Sequence, residues 1–211
     1  MSDRQIIPAD QILPNRLFIM PLTGKPIFPG IFTPIMIQDE QDIEVIDKAM
    51  NGDSMIGLTL TRSPEDDTES DRYGLELHRV GTVAKIVKKI NLPDGGYNIF
   101  ISTLKRFKIK KFLSEEYPLS AAVEYLEDEN DSSDEVKALT RSLISEMKQL
   151  SEDNPLFSEE MRLNMVNIDH PGKVADFITS ILNIERQEQQ KILETTDVYK
   201  RMESVLMYIK K

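Results

Sequence analysis

Residues 86–101 read Ile-Val-Lys-Lys-Ile-Asn-Leu-Pro-Asp-Gly-Gly-Tyr-Asn-Ile-Phe-Ile. Two apolar runs flank Leu92-Pro93-Asp94-Gly95-Gly96. Proline pre-sets φ near −65° and the glycines admit positive φ, so the centre is a turn and the flanks are paired strands. Working outward, strands are predicted over 75–90 and 97–102. After them, Arg106–Leu113 alternates: Phe107, Ile109, Lys111 and Leu113 against Arg106, Lys108, Lys110 and Phe112. Period two predicts a strand over 104–113 with one face buried, and the phase breaks at Lys111 and Phe112. Further strands are predicted over 17–22, 33–38, 55–61 and 120–126. One helix interrupts them at 40–51, where Ile43, Ile46, Ala49 and Met50 form a stripe and Asn51-Gly52 ends it.

The punctuation stops near residue 126. Most glycines and nine of the eleven prolines precede that point, and the remainder reads as helices. Ser132-Ser133-Asp134-Glu135 fits a capping box opening a helix over 134–150. Ser158-Glu159-Glu160 opens a short one. Asp169 is placed as the cap of a helix with Pro171 in its first turn. Helices over 173–182, 185–193 and 197–211 follow. The fold class is therefore α+β: a tail over 1–16, a β-rich domain over 17–126 with one short helix, an acidic linker over 127–133, and a small antiparallel helical bundle over 134–211. The acidic stretch Ser63–Asp71 has no apolar residue and is read as a mobile loop, because it lacks the spacing of a calcium loop.

Composition removes several chemistries. The chain has 211 residues, a net charge of −10, no cysteine and only two histidines. Disulfides, thiolate metal sites and cysteine nucleophiles are excluded, as is a multi-histidine metal centre. The negative charge argues against general nucleic-acid binding. No apolar run reaches the ~20 residues of a membrane span, and the polar start lacks a signal-peptide core. The cytoplasm is the expected compartment. No catalytic constellation emerges. Gly24-Lys25-Pro26 lacks the rest of a phosphate loop. Ser102-Thr103-Leu104-Lys105 spells a serine–lysine motif, but strand alternation points the two side chains apart. His78 and His170 have no partner motif. The cluster Lys105, Arg106, Lys108, Lys110 and Lys111, with Phe107 and Phe112 between, is read as the solvated face of an edge strand. An RNA surface is the alternative.

One segment resists that reading: Pro26-Ile27-Phe28-Pro29-Gly30-Ile31-Phe32-Thr33-Pro34-Ile35-Met36 is broken by prolines yet rich in apolar residues. Such a loop fills the end of a core or offers an adaptable binding surface. It also carries a resemblance. Pro21-Leu22, Phe28-Pro29-Gly30, Pro34-Ile35, Val80-Gly81-Thr82-Val83-Ala84, Leu92-Pro93-Asp94-Gly95, Arg106, and Leu193-Glu194-Thr195-Thr196-Asp197-Val198 with Arg201 and Met202 stand in an order and spacing that resemble the amino-terminal domain of the Lon family of ATP-dependent proteases. The likeness spans 17–211. It departs at Thr103, where the family often has glycine, and at Asp39-Glu40-Gln41, where basic residues are common.

The resemblance implies a PUA-like β-pseudobarrel followed by a helical bundle. It implies a domain that binds unfolded or tagged proteins and helps a homo-hexameric serine endopeptidase assemble. Catalytic residues, ATP and Mg would belong to other domains of that parent, so no cofactor or metal is expected here. The chain is expected to be part of a longer protein whose last helix continues. A free-standing adaptor or RNA-binding module of the same fold is the alternative. Phe28, Ile31, Phe32, Met36 and Glu40 are the expected substrate-contact residues.

Overall fold

The computed structural model describes residues 12–62, 77–114, 116–152, 168 and 170–210. Six strands and five helices occur among them. They are β1 (Arg16–Leu22), β2 (Phe32–Ile37), α1 (Glu40–Met50), β3 (Met55–Leu60), β4 (Val80–Asn91), β5 (Tyr97–Phe112), β6 (Ser120–Tyr125), α2 (Asp134–Glu152), α3 (Pro171–Ile181), α4 (Arg186–Glu194) and α5 (Val198–Ile209). The sheet is mixed, in the order β2-β5-β4-β3-β1-β6, and β5 also pairs with β6. That last pairing joins β5, β4, β3, β1 and β6 into a ring, with β2 outside it on the far half of β5. Only β1 and β3 run parallel, with α1 in the crossover between them.

Both faces of β3 are covered, which explains its nearly unbroken apolar character. Leu17 and Ile19 join Val83, Phe107 and Ile109 in one cluster. Met20, Ile56, Leu58 and Ile99 join Val45 and Ile46 of α1 in a second. Glycine sets the spacing of the first cluster. A Cβ on Gly81 would lie 2.2 Å from the Leu58 carbonyl oxygen and 3.0 Å from Cζ of Phe107. A Cβ on Gly57 would lie 2.9 Å from the same ring carbon. The two glycines make room for the Phe107 ring.

The long strand β5 replaces the two predicted strands over 97–102 and 104–113. Leu104 and Lys110 are extra residues in its pairing with β4 and β6, and Val87 is extra in β4. Each bulge shifts the alternation by one. The bulge at Lys110 accounts for the phase break at Lys111 and Phe112. The hairpin turn matches its prediction, with Gly95 and Gly96 at φ 89° and 80°. The predicted strand over 75–90 starts later, at Val80; before it, Leu77 makes only an isolated bridge to Thr61. The acidic loop over 63–71, the tail over 1–11 and the helix at Ser158 fall outside the described residues.

Helices α2 to α5 share a third core, which includes Val136, Leu143, Val174, Ile178, Met202 and Val205. Phe28 and Val80 enter that core from the sheet side. Elsewhere the seam is polar. Arg106 of β5, 4% exposed, forks onto Asp176 of α3 at 2.8 and 2.5 Å and donates through Nε to the Leu193 carbonyl at 2.8 Å. Arg201 of α5, fully buried, reaches Asp128 at 2.5 Å and Asp176 at 3.4 Å. Gln190 donates to the Val80 carbonyl at 3.0 Å. The acidic stretch 127–133, expected to be a linker, is held in place. Asp128 joins this cluster, and Glu129 exchanges main-chain hydrogen bonds with Thr196 and Val198. The Ser133 hydroxyl caps α2 through the Val136 amide at 3.2 Å. For α3 the capping position falls on His170, whose side chain makes no capping bond, with Pro171 next; Asp169 lies outside the described residues.

Candidate functional site

The proline-broken apolar segment divides into a buried and an exposed part. Thr103 organises the division. Its hydroxyl donates to the Phe28 carbonyl at 2.7 Å and accepts from the Ile31 amide at 2.8 Å. Its main chain bonds Gly30 and Ile31 at 2.9 Å each. A glycine at 103 would keep the main-chain bonds and lose the hydroxyl. Gly30, at φ 81°, turns the chain between these bonds. The result drives Phe28 inward, where it is fully buried among the helices. Phe28 is therefore core, not a contact residue: no part of its ring is open to a partner. Ile31 is half-buried against the same core.

Beyond Ile31 the chain enters β2, which among the described residues pairs only with β5. An edge position suits Pro34, whose missing amide hydrogen removes no ladder bond when it faces away from the neighbour. The register aligns three rows across three strands. Phe32 lies beside Ser102 and Lys85, Pro34 beside Phe100 and Lys88, and Met36 beside Asn98 and Ile90. Directly opposed residues share a face, so these nine form one surface. Thr33, Ile35 and Ile37 point to the other side, where Ile35 and Ile37 meet the α1 core. Phe32 and Met36 are each 63% exposed, and Ile90 is also exposed. The Phe32 and Phe100 rings stack with centroids 6.1 Å apart and planes at 25°. Val87, extruded by its bulge, is exposed beside them. Glu40, exposed at the start of α1, follows β2 closely in the chain.

Sequence reasoning missed Phe100, Ile90 and Val87, and it grouped Lys85 and Lys88, with Lys89, beside the basic run at Lys105–Lys111 and not with the apolar segment. The signal for Phe100 was present, since it sits out of phase with buried Ile99 and Ile101. Nothing local showed that β2 would lie beside it.

The other candidates resolve differently. The basic run does not lie on an edge, because β5 is paired on both sides. Arg106 is buried, Lys105 pairs with Glu127, and Lys110 lies 3.7 Å from Glu124. Lys89 turns to the α1 side, 3.0 Å from Asp47 and 3.9 Å from the Tyr97 ring centroid. Partial desolvation works against its charge, but the bonds to Asp47 and Tyr97 prevail and raise its pKa. His78 Nδ1 lies 3.0 Å from Glu194 and helps hold β4 to α4. Ser102 and Lys105 lie on a continuous strand, not at a helix start.

A family model described as the ATP-dependent protease La (LON) substrate-binding domain matches residues 16–211. The chain belongs to that family. The Lon protease of Treponema pallidum (strain Nichols) is 57% identical to the LON domain described here over 210 residues, covering 99% of this chain and 23% of that protein. The Lon protease of Leptospira interrogans is 40% identical over 212 residues, covering all of this chain and 25% of that protein. The LON domain thus spans about a quarter of the length of these relatives. Among solved structures, the N-terminal domain of Mycobacterium avium complex Lon protease superposes with a TM-score of 0.74 at 21% identity, covering 93% of this chain and 98% of that one. A Lon N-terminal domain protein from Xanthomonas campestris gives 0.64 at 15% identity, over 91% and 97%. These two likenesses concern the fold alone.

Several residues that carry the resemblance have structural roles in this LON domain. Gly81 admits Phe107, Arg106 anchors the helices, and the Glu194–Arg201 segment closes the seam. In that segment Asp197 caps α5 through the Lys200 amide at 3.0 Å and accepts from Asn130 at 2.8 Å. The first of these bonds, then the second, holds its carboxyl below the ordinary range. Among the described residues, no helix is long and apolar enough to cross a membrane.

Proposed function

We propose that this chain is the client-recognition part of a Lon-type ATP-dependent protease, and that it binds exposed apolar segments of unfolded or degron-bearing proteins. The ring of strands would then be a PUA-like pseudobarrel over 17–126. The helices after 134 would be a bundle joined to it through the 127–133 stretch. Catalysis, ATP and Mg would reside in other domains of a homo-hexameric parent. The observation that carries this reading is the exposed apolar face of β2 and β5. Phe32 and Met36 stand open to solvent beside the exposed Ile90. The paired backbone is already ordered, while an exposed Met side chain can re-pack against different partners at some cost in rotamer freedom, which favours weak contact with many apolar sequences. Ile31 and Glu40 would border the contact. A monomer should bind with micromolar or weaker affinity, and several copies in one particle would add avidity.

The test compares a permanently unfolded client, such as reduced carboxymethylated α-lactalbumin, with the native form of the same protein. Binding is followed by fluorescence anisotropy. The chain should prefer the unfolded form. Phe32→Ser with Met36→Ser should weaken binding about tenfold or more, the scale of losing two aromatic or apolar anchors. Equal affinity for native and unfolded client, or an unchanged affinity in the double variant, would overturn the reading.

A further inference from the structure

The apolar face is not neutral. On β4, two of its three rows carry Lys85 and Lys88 and the third carries Ile90, and none of the nine positions carries an acid. Neither lysine makes an ion pair among the described residues, although Lys89 beside them and Lys105 and Lys110 on β5 all do. In a chain of net charge −10, a basic column without carboxylates beside exposed aromatic and methionine side chains is a local reversal of sign. We propose that Lys85 and Lys88 select client segments in which an acidic residue lies two positions from a bulky apolar one. This rests on the reading that clients bind this face.

The spacing follows from strand geometry. Neighbouring strands lie about 4.8 Å apart, so the β2 column and the β4 column are separated by about 10 Å. Side chains two residues apart share one face of an extended segment and are separated by about 7 Å, between the one-strand and two-strand separations of these columns. A segment lying along the rows, across the strands, therefore sets an apolar side chain on Phe32, Phe100 or Met36 and a carboxylate at a lysine. The lysines sit at the rim of the apolar contact, where opposite charges raise association rate and selectivity more than affinity. A segment with a basic residue at the same place meets two unpaired ammonium groups and is disfavoured. Lys88 is exposed and Lys85 half-buried, so substituting them leaves the core intact.

The experiment uses the 211-residue chain and three fluorescein-labelled unstructured peptides. Each carries three phenylalanines, with aspartate, asparagine or lysine two residues after each. The aspartate peptide should bind about threefold to tenfold tighter than the asparagine peptide, the range for two partly exposed charge pairs. The lysine peptide should bind weakest. The preference should shrink between about 0.05 and 0.5 M salt, as screening requires. Lys85→Gln with Lys88→Gln should remove the preference, so that the aspartate and asparagine peptides bind alike. Lys85→Glu with Lys88→Glu should invert it. Equal binding of all three peptides, or a preference that survives the glutamine variant, overturns the proposal. If no peptide binds, or if Phe32→Ser with Met36→Ser leaves the asparagine peptide's affinity unchanged, the client-binding reading itself fails.

Discussion

Asp176 is the point at which the sheet–helix seam is most exposed to a single change. It is 2% exposed and accepts both arms of the Arg106 fork, with Arg201 at 3.4 Å. Asp176 and Asp128 balance Arg106 and Arg201, so the cluster of four is neutral. Asp176→Asn keeps the shape and removes one negative charge. Two buried guanidiniums would then share a single carboxylate, which sits on the Arg201 side, 3.9 Å from Arg106. Removing one partner of a buried pair costs about 3–5 kcal/mol. For a chain of this size that is a fall in midpoint temperature of about 6–20 °C. Urea unfolding followed by circular dichroism gives the free energy directly, provided the slope against urea is unchanged. The double replacement Arg106→Met with Asp176→Leu discriminates the cause. It removes one charge of each sign and leaves the Arg201–Asp128 pair balanced, so it should recover most of the lost stability. A loss below about 1 kcal/mol for Asp176→Asn, with an unchanged slope, would refute the reasoning, because the cluster would then be wetted in solution.

Other consequences are open to the same measurement. Gly81→Ala sets a methyl 2.2 Å from the Leu58 carbonyl oxygen; neither strand can yield freely, and a loss of about 3 kcal/mol is expected, while a loss under ~1 kcal/mol would contradict the close approach of β3 and β4. Asp197→Ala removes the α5 cap and should cost about 1 kcal/mol. Because its folded carboxyl lies below the ordinary 3.8, Asp197 contributes stability above that value and loses it as pH falls through the lower folded one; the acid limb of stability should flatten in the variant. Tyr125 titrates at about 12 rather than 10.0, pushed up by burial and then by Asp53. Its neutral form is favoured in the fold, so its contribution is present below pH 10 and is lost as pH rises toward 12. Tyr125→Phe should flatten that alkaline slope and should also cost the hydroxyl bond to the Pro14 carbonyl.

How far the sequence could be read depended on the range of the physics involved. Turn chemistry and periodicity are local, so residues 92–96 located the hairpin, the strands fell within a few residues of their places, and α1 and the described helices after 134 were legible. Even the broken alternation at Lys111 carried information, although its cause, a bulge at Lys110, needed the partner strand. Burial is not local. Phe28, Phe32 and Met36 lie within nine residues and look equally apolar on paper. Thr103, more than seventy positions away, pulls the first inward through its hydroxyl, while the pairing of β2 with β5 leaves the other two outside. Arg106 reads as one member of a basic strand, yet Asp176 and the Leu193 carbonyl, brought over it by the helices, make it a buried anchor. The elements and the family were decided by the order of residues along the chain. Which of those residues face water was decided only when distant strands and helices closed over some and left Phe32, Met36 and Lys88 uncovered.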